Sequence, residues 1–127
     1  MSKVIESNAE FVSSKETKQV ESMLSPVLEN VPEAKKLMAQ TLIPRMAFHI
    51  VMIKKLEEII KAEGVVDHYQ NGNNQFGTKK SPYVDAHQKY TQLYNATVKQ
   101  LNDLMPKNEE LKVPEKDELV SFLENAN

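Results

Sequence analysis

Between Pro44 and Gly64, apolar residues recur every three or four positions, a spacing that a helix gathers onto one side of its backbone. Met46, Ile50, Ile53 and Ile60 define the stripe, and Val51, Met52, Leu56 and Ile59 widen it. Glu57 and Lys61 add an (i, i+4) pair in the favourable order. Gly64 then stands where a helix would end in the left-handed conformation. The stripe covers more than one face, so part of it is expected to seek a second copy of the chain. A compact monomeric bundle is the alternative.

The flanking sequence predicts further helices. Val20, Met23, Leu24, Val27, Leu28 and Val31 follow helical spacing from Lys15, with a break or kink expected near Ser25 because Pro26 removes a donor and clashes with the preceding turn. Asn30 and Glu33 have capping-box spacing, which predicts a helix start there. Ala34, Leu37, Met38, Leu42 and Ile43 then continue the stripe until Pro44, where a second bend or interruption is expected. Ser81-Pro82, with Asp85 in the first turn, predicts a helix running to Leu104 or Met105. On it, His87, Tyr90, Tyr94, Thr97, Leu101 and Leu104 form a seam. Residues 106–114 read as a linker, and a short helix is expected at 115–124 with Leu119, Val120, Phe122 and Leu123 on one side.

Residues 65–78 differ in kind. Asn71-Gly72 is a hairpin signal, since both central residues of a type I′ turn need positive φ. That turn would set Gln70 opposite Asn73 and Tyr69 opposite Asn74. A small hairpin alone is marginal in water and must lean on helices or on another subunit. The fold expected is all-α, a helical hairpin or bundle with a small β-hairpin between the two longest helices. Its parts are a tail and short helix at 1–30, an oligomerisation core at 31–106, and a linker and helix at 107–127.

Composition narrows the function. With 3 Gly among 127 residues, a Gly-rich nucleotide-binding loop is excluded. Cysteine is absent, which removes disulfides, thiolate metal sites and Cys nucleophiles. No secretory signal or membrane-length apolar run is present, so a soluble, cytoplasmic protein is expected, with no membrane partner. His49, His68 and His87 lack partners at metal-ligand spacing, and Glu57, Glu58 and Glu63 have no second acid–base component. No catalytic residue, metal or cofactor is expected. Charge is segmented, with residues 1–34 carrying −3, residues 35–102 carrying +5 and residues 103–127 carrying −4. A basic middle can meet a polyanion although the whole chain sums to −2. A solvated surface of mixed charge is the alternative.

Leu56-Glu57-x-x-Ile60-x-x-Glu63-Gly64, Tyr69-Gln70-Asn71-Gly72, Lys80-Ser81-Pro82 and the Tyr90…Leu101 helix, in that order and spacing, resemble bacteriophage terminase small subunits. The resemblance covers roughly residues 40–106. It implies a non-enzymatic DNA-packaging factor that assembles into a homo-oligomeric ring in the host cytoplasm. Such a factor binds double-stranded DNA and brings the large subunit, which holds the ATPase and nuclease, to the packaging-initiation site. A helix-turn-helix or a basic N-terminal arm, found in many members, is not evident here.

Within that reading, Lys79 and Lys80 beside the helix start are the best anion-binding candidates, although two lysines can equally solubilise a loop. Lys35, Lys36, Arg45, Lys54 and Lys55 would repeat around a ring into a band of positive potential. Asn73 and Asn74 could contact DNA, and turns also select Asn. Met46, Ile50, Ile53, Leu56, Ile60, Tyr90, Tyr94, Leu101 and Leu104 are the expected core and oligomerisation residues. Leu119, Val120, Phe122 and Leu123 could dock on the large subunit as a helix in a groove, or pack back on the ring. The rivals are a dimeric DNA-binding transcriptional regulator and a helical adaptor that binds only protein.

Overall fold

The computed structural model describes residues 11–70, 72, 75–106 and 114–125. Helix α1 spans Ser14–Leu24, a 3-10 segment spans Ser25–Asn30, and a second covers Glu33–Lys35. Helix α2 (Lys36–Glu63), strands β1 (Val66–Gln70) and β2 (Phe76–Lys80), helix α3 (Pro82–Asp103) and helix α4 (Lys116–Asn125) complete the order. The chain is mostly helical, with one two-stranded antiparallel sheet. Among the described residues no helix is long and apolar enough to cross a membrane.

Helix α1 starts at Ser13, whose hydroxyl accepts the Glu16 N–H at 3.1 Å. It stops where Pro26 requires, and the chain tightens into 3-10 geometry from Ser25. Asn30 does not cap the next helix. Pro32 occupies the cap position, without a side-chain bond, and one 3-10 turn leads into α2. The side-chain cap of this region is Ser13, in front of α1, whose hydroxyl also donates to the Glu16 carboxylate at 3.1 Å.

Pro44 does not interrupt α2, which runs unbroken through it for 28 residues. An interior proline costs about 3 kcal/mol through one lost hydrogen bond and a steric clash. Here its ring lies on the exposed side, while Ala39, Ile43, Met46, Ala47 and Ile50 are buried on either side of it. Each buried aliphatic side chain contributes about 1.5–3 kcal/mol, so continuity of the packed face outweighs the local defect. Gly64 ends the helix at φ 82° and ψ −175°, a region open almost only to glycine.

Helices α2 and α3 lie antiparallel, α1 packs across α2, and α4 lies against both α1 and α2. Met46, Ile50, Val51, Ile53, Leu56, Tyr94 and Leu101 are buried, whereas Ile60, Tyr90 and Leu104 are half-buried. The wide stripe of α2 is thus covered largely by this chain's own α1, α3 and α4. Met52, Ile59 and Ile60 stay half-buried at its margin. Leu37 and Met38, expected to continue the stripe, are instead 75% and 61% exposed at the start of α2, and Phe76 on the hairpin is 75% exposed.

The hairpin also differs in register. Gln70 pairs with Phe76, not Asn73, and the ladder runs through His68↔Thr78 and Asp67↔Lys79 to Val66↔Lys80. Positions 71–75 lie between the strands, so the connection is longer than a two-residue turn. A two-residue turn would set Asp67 against Phe76 and leave both lysines beyond the ladder. The observed register instead opposes Asp67 to Lys79. The Ser81 N–H then donates to the Val65 carbonyl at 3.0 Å, closing the hairpin directly into the start of α3.

Candidate functional site

The basic residues divide into those the fold neutralises and those it leaves free. Lys54 was expected at a DNA surface, yet its side chain is only 5% exposed. Its ammonium lies 3.3 Å from Glu16 and 3.5 Å from Glu58. Lys55 reaches the other oxygen of Glu16, also at 3.3 Å. Glu16 therefore bridges two lysines between α1 and α2. Burial pushes its carboxyl pKa up, but hydrogen bonds from Lys55, Ser13 and Lys54 outweigh that and hold it below the usual value.

Lys36 pairs with Glu33 at 3.1 Å, and Lys80 with Asp85 at 2.8 Å. The Lys80 contact places a carboxylate on one of the two ammonium groups expected to hold phosphate beside Ser81. Ser81 itself caps α3, accepting the Tyr83 N–H at 3.2 Å. Lys35, Arg45 and Lys79 remain exposed and without an ion-pair partner among the described residues. Asn73 and Asn74 lie outside the described residues.

These free cations are not gathered on one copy. Lys35 stands before the first turn of α2 and Lys79 on the hairpin beyond its last. A helix of 28 residues separates them, about 42 Å at 1.5 Å per residue. Arg45 lies between, lining a cleft of about 560 Å³ with Met38, Thr41, Leu42, Gln100, Asp103 and Leu104.

The α2–α3 interface carries two histidines. His87 Nε2 lies 2.9 Å from Glu57 Oε2, and the carboxylate can only accept, so Nε2 carries the proton. Glu57 is thus tied across helices, not merely solvated. His49 forms a triangle of rings with Phe48 and Tyr90, whose centroids lie 6.2 and 6.1 Å from its own and 6.2 Å from each other. Its Nδ1 is buried without a hydrogen-bond partner. Burial, and then the Arg45 charge, lower its pKa from 6.5.

On α4, Leu119, Val120 and Leu123 are buried, and Phe122 is 38% exposed. The residues expected to dock on a partner are therefore mostly spent on this chain's own α1 and α2. Sequence reasoning passes over Glu16, although two signals point to it. One is the Ser13-x-x-Glu16 capping spacing, and the other is its place four and eight positions before Val20 and Leu24 on the buried stripe.

The hairpin is the most open feature. Its strands pack on each other without substantial packing on any helix. Val66 is 42% and Phe76 75% exposed. Gln70, Thr78, Lys79 and Lys80 are exposed with them. Comparison with known proteins found no matching family model, no matching curated protein and no matching solved structure.

Proposed function

We propose that this chain is a non-enzymatic phage terminase small subunit, which self-associates, holds double-stranded DNA and recruits or regulates the large subunit. The observation that carries the reading is the projecting hairpin. A polar, lysine-bearing two-stranded sheet has little stability alone, and this one offers Lys79 and open faces to something outside the chain. The antiparallel α2–α3 pair, which sets the hairpin at one end, agrees with the order of motifs that carries the resemblance. Because the free candidate cations Lys35, Arg45 and Lys79 are spread along one copy, DNA retention depends on repetition through assembly, and it falls steeply with salt.

The test is retention of duplex DNA across a salt series by the assembled protein, alongside its native mass. Salt-sensitive retention that weakens with Lys79→Glu plus Lys80→Glu supports the proposal. A protein indifferent to DNA at low salt removes it.

One observation favours a second reading, that of a helical adaptor binding only protein. Lys36, Lys54, Lys55 and Lys80 are all matched by carboxylates of the same chain. In that case the double lysine variant changes no activity.

A further inference from the structure

The two strands of the hairpin carry opposite charge. β1 holds Asp67, and β2 holds Lys79 and Lys80. The sheet has two strands only, so each keeps an outer edge of unpaired backbone groups. Neither strand contains proline, and the register runs from Val66↔Lys80 to Gln70↔Phe76 without an offset. Open edges of this kind template further strands unless bulges, prolines or charges prevent it. Charge is the device used here, and it is selective.

The geometry points to edge-to-edge pairing between copies of this chain, β2 of one copy adding antiparallel to β1 of the next. This rests on the self-association in the function proposed above and names the surface that performs it.

Two other pairings are disfavoured by charge. Joining β1 to β1 brings two Asp67 carboxylates together, and joining β2 to β2 gathers four lysines. Joining β2 to β1 sets Lys79 beside the neighbour's Asp67, repeating between chains the opposition found within one. Both charges are available for this, since neither Asp67 nor Lys79 has an ion-pair partner among the described residues. Phe76 lies on the edge that would be covered, and it is 75% exposed in the single copy. The contact is heterologous. Each copy uses one edge of each kind and leaves the other kind for the next copy, which generates a ring where the rotation closes.

The test uses two charge variants, Asp67→Lys and Lys79→Asp, with native mass measured by ultracentrifugation at micromolar concentration. Wild type is expected at a multiple of 14.5 kDa and each variant alone at a single copy. An equimolar mixture is expected to reassemble. In the mixture each strand meets its opposite charge on the other chain, while the mismatch within each chain persists, so recovery reports contact between chains. Unchanged helical circular dichroism checks folding.

Because the natural chain has no cysteine, Asp67→Cys mixed with Lys79→Cys supplies an independent readout. A disulfide-linked pair is expected from the mixture and not from either variant alone. A monomeric wild type, variants that assemble alone, a mixture that stays monomeric, or crosslinks between identical positions would each overturn the pairing. Retention of duplex DNA on the same samples separates the two proposals. Assembly through these edges without DNA retention upholds the pairing and removes the packaging function, and a DNA-retaining assembly whose mass neither charge variant alters does the reverse.

Discussion

The Lys54 ammonium lies 3.3 Å from the Glu16 carboxylate across the α1–α2 interface, with the two side chains 5% and 11% exposed. Taking Glu16 away leaves the buried Lys54 with only the more exposed Glu58 at 3.5 Å and removes the partner of Lys55, a loss toward the lower end of the about 3–5 kcal/mol that breaking a buried pair costs. Glu16→Ala is therefore expected to lower the unfolding free energy by about 3 kcal/mol in urea denaturation. Glu16→Leu combined with Lys54→Met should cost clearly less than the two single changes added together, because the double variant leaves no unpaired charge of that pair. Strict additivity would mean that the ion pair contributes nothing of its own.

The same carboxylate makes stability depend on acid. Its folded pKa is held below the ordinary 4.5, so the native state binds fewer protons than the unfolded chain near that pH. The contribution is complete above 4.5 and is lost as pH falls through the lower folded value. Glu16→Gln should be less stable than wild type at neutral pH and should show a shallower loss on acidification, followed by thermal melting from pH 6 downward.

His49 acts in the adjoining range. Burial and the Arg45 charge lower its pKa from 6.5, so the unfolded chain takes up a proton before the folded one does. Its contribution is complete above 6.5 and declines as pH falls toward the folded value. Arg45→Gln relieves the second cause and should flatten the dependence of the melting temperature between neutral pH and pH 5. A wild-type profile that Arg45→Gln leaves unaltered would contradict this.

Helix α4 belongs to the core of its own chain. Leu119 and Leu123 are fully buried, and truncating either to Ala is expected to cost about 2–5 kcal/mol. Phe122, 38% exposed, should cost markedly less as Phe122→Ala. Equal, small effects at all three positions would show that α4 detaches freely.

For DNA, the division between free and matched cations makes a paired prediction. Lys35→Gln, at an exposed lysine without an ion-pair partner among the described residues, should reduce the slope of log affinity against log salt by about one per copy that contacts phosphate. Lys36→Gln, whose charge Glu33 already offsets, should change it less. Equal effects would show that the ion pairs within the chain do not govern DNA contact.

What the sequence determined by itself was a set of boundaries fixed within a turn or two. Pro26 ends α1, Gly64 ends α2 at positive φ, and Ser81-Pro82 opens α3, because capping and proline geometry are settled by immediate neighbours. Helical periodicity likewise located the seam from His87 to Leu104. What only the tertiary structure decided depended on distant segments. Pro44 passes through α2 because packing on both sides outweighs a local defect. The hairpin register opposes Gln70 to Phe76, where Asn71-Gly72 favours a two-residue turn. Lys54 looked like a surface cation until Glu16, thirty-eight positions away, was brought against it. A residue's charge is written in its own side chain, but whether that charge faces water or a partner depends on which segments fold against it.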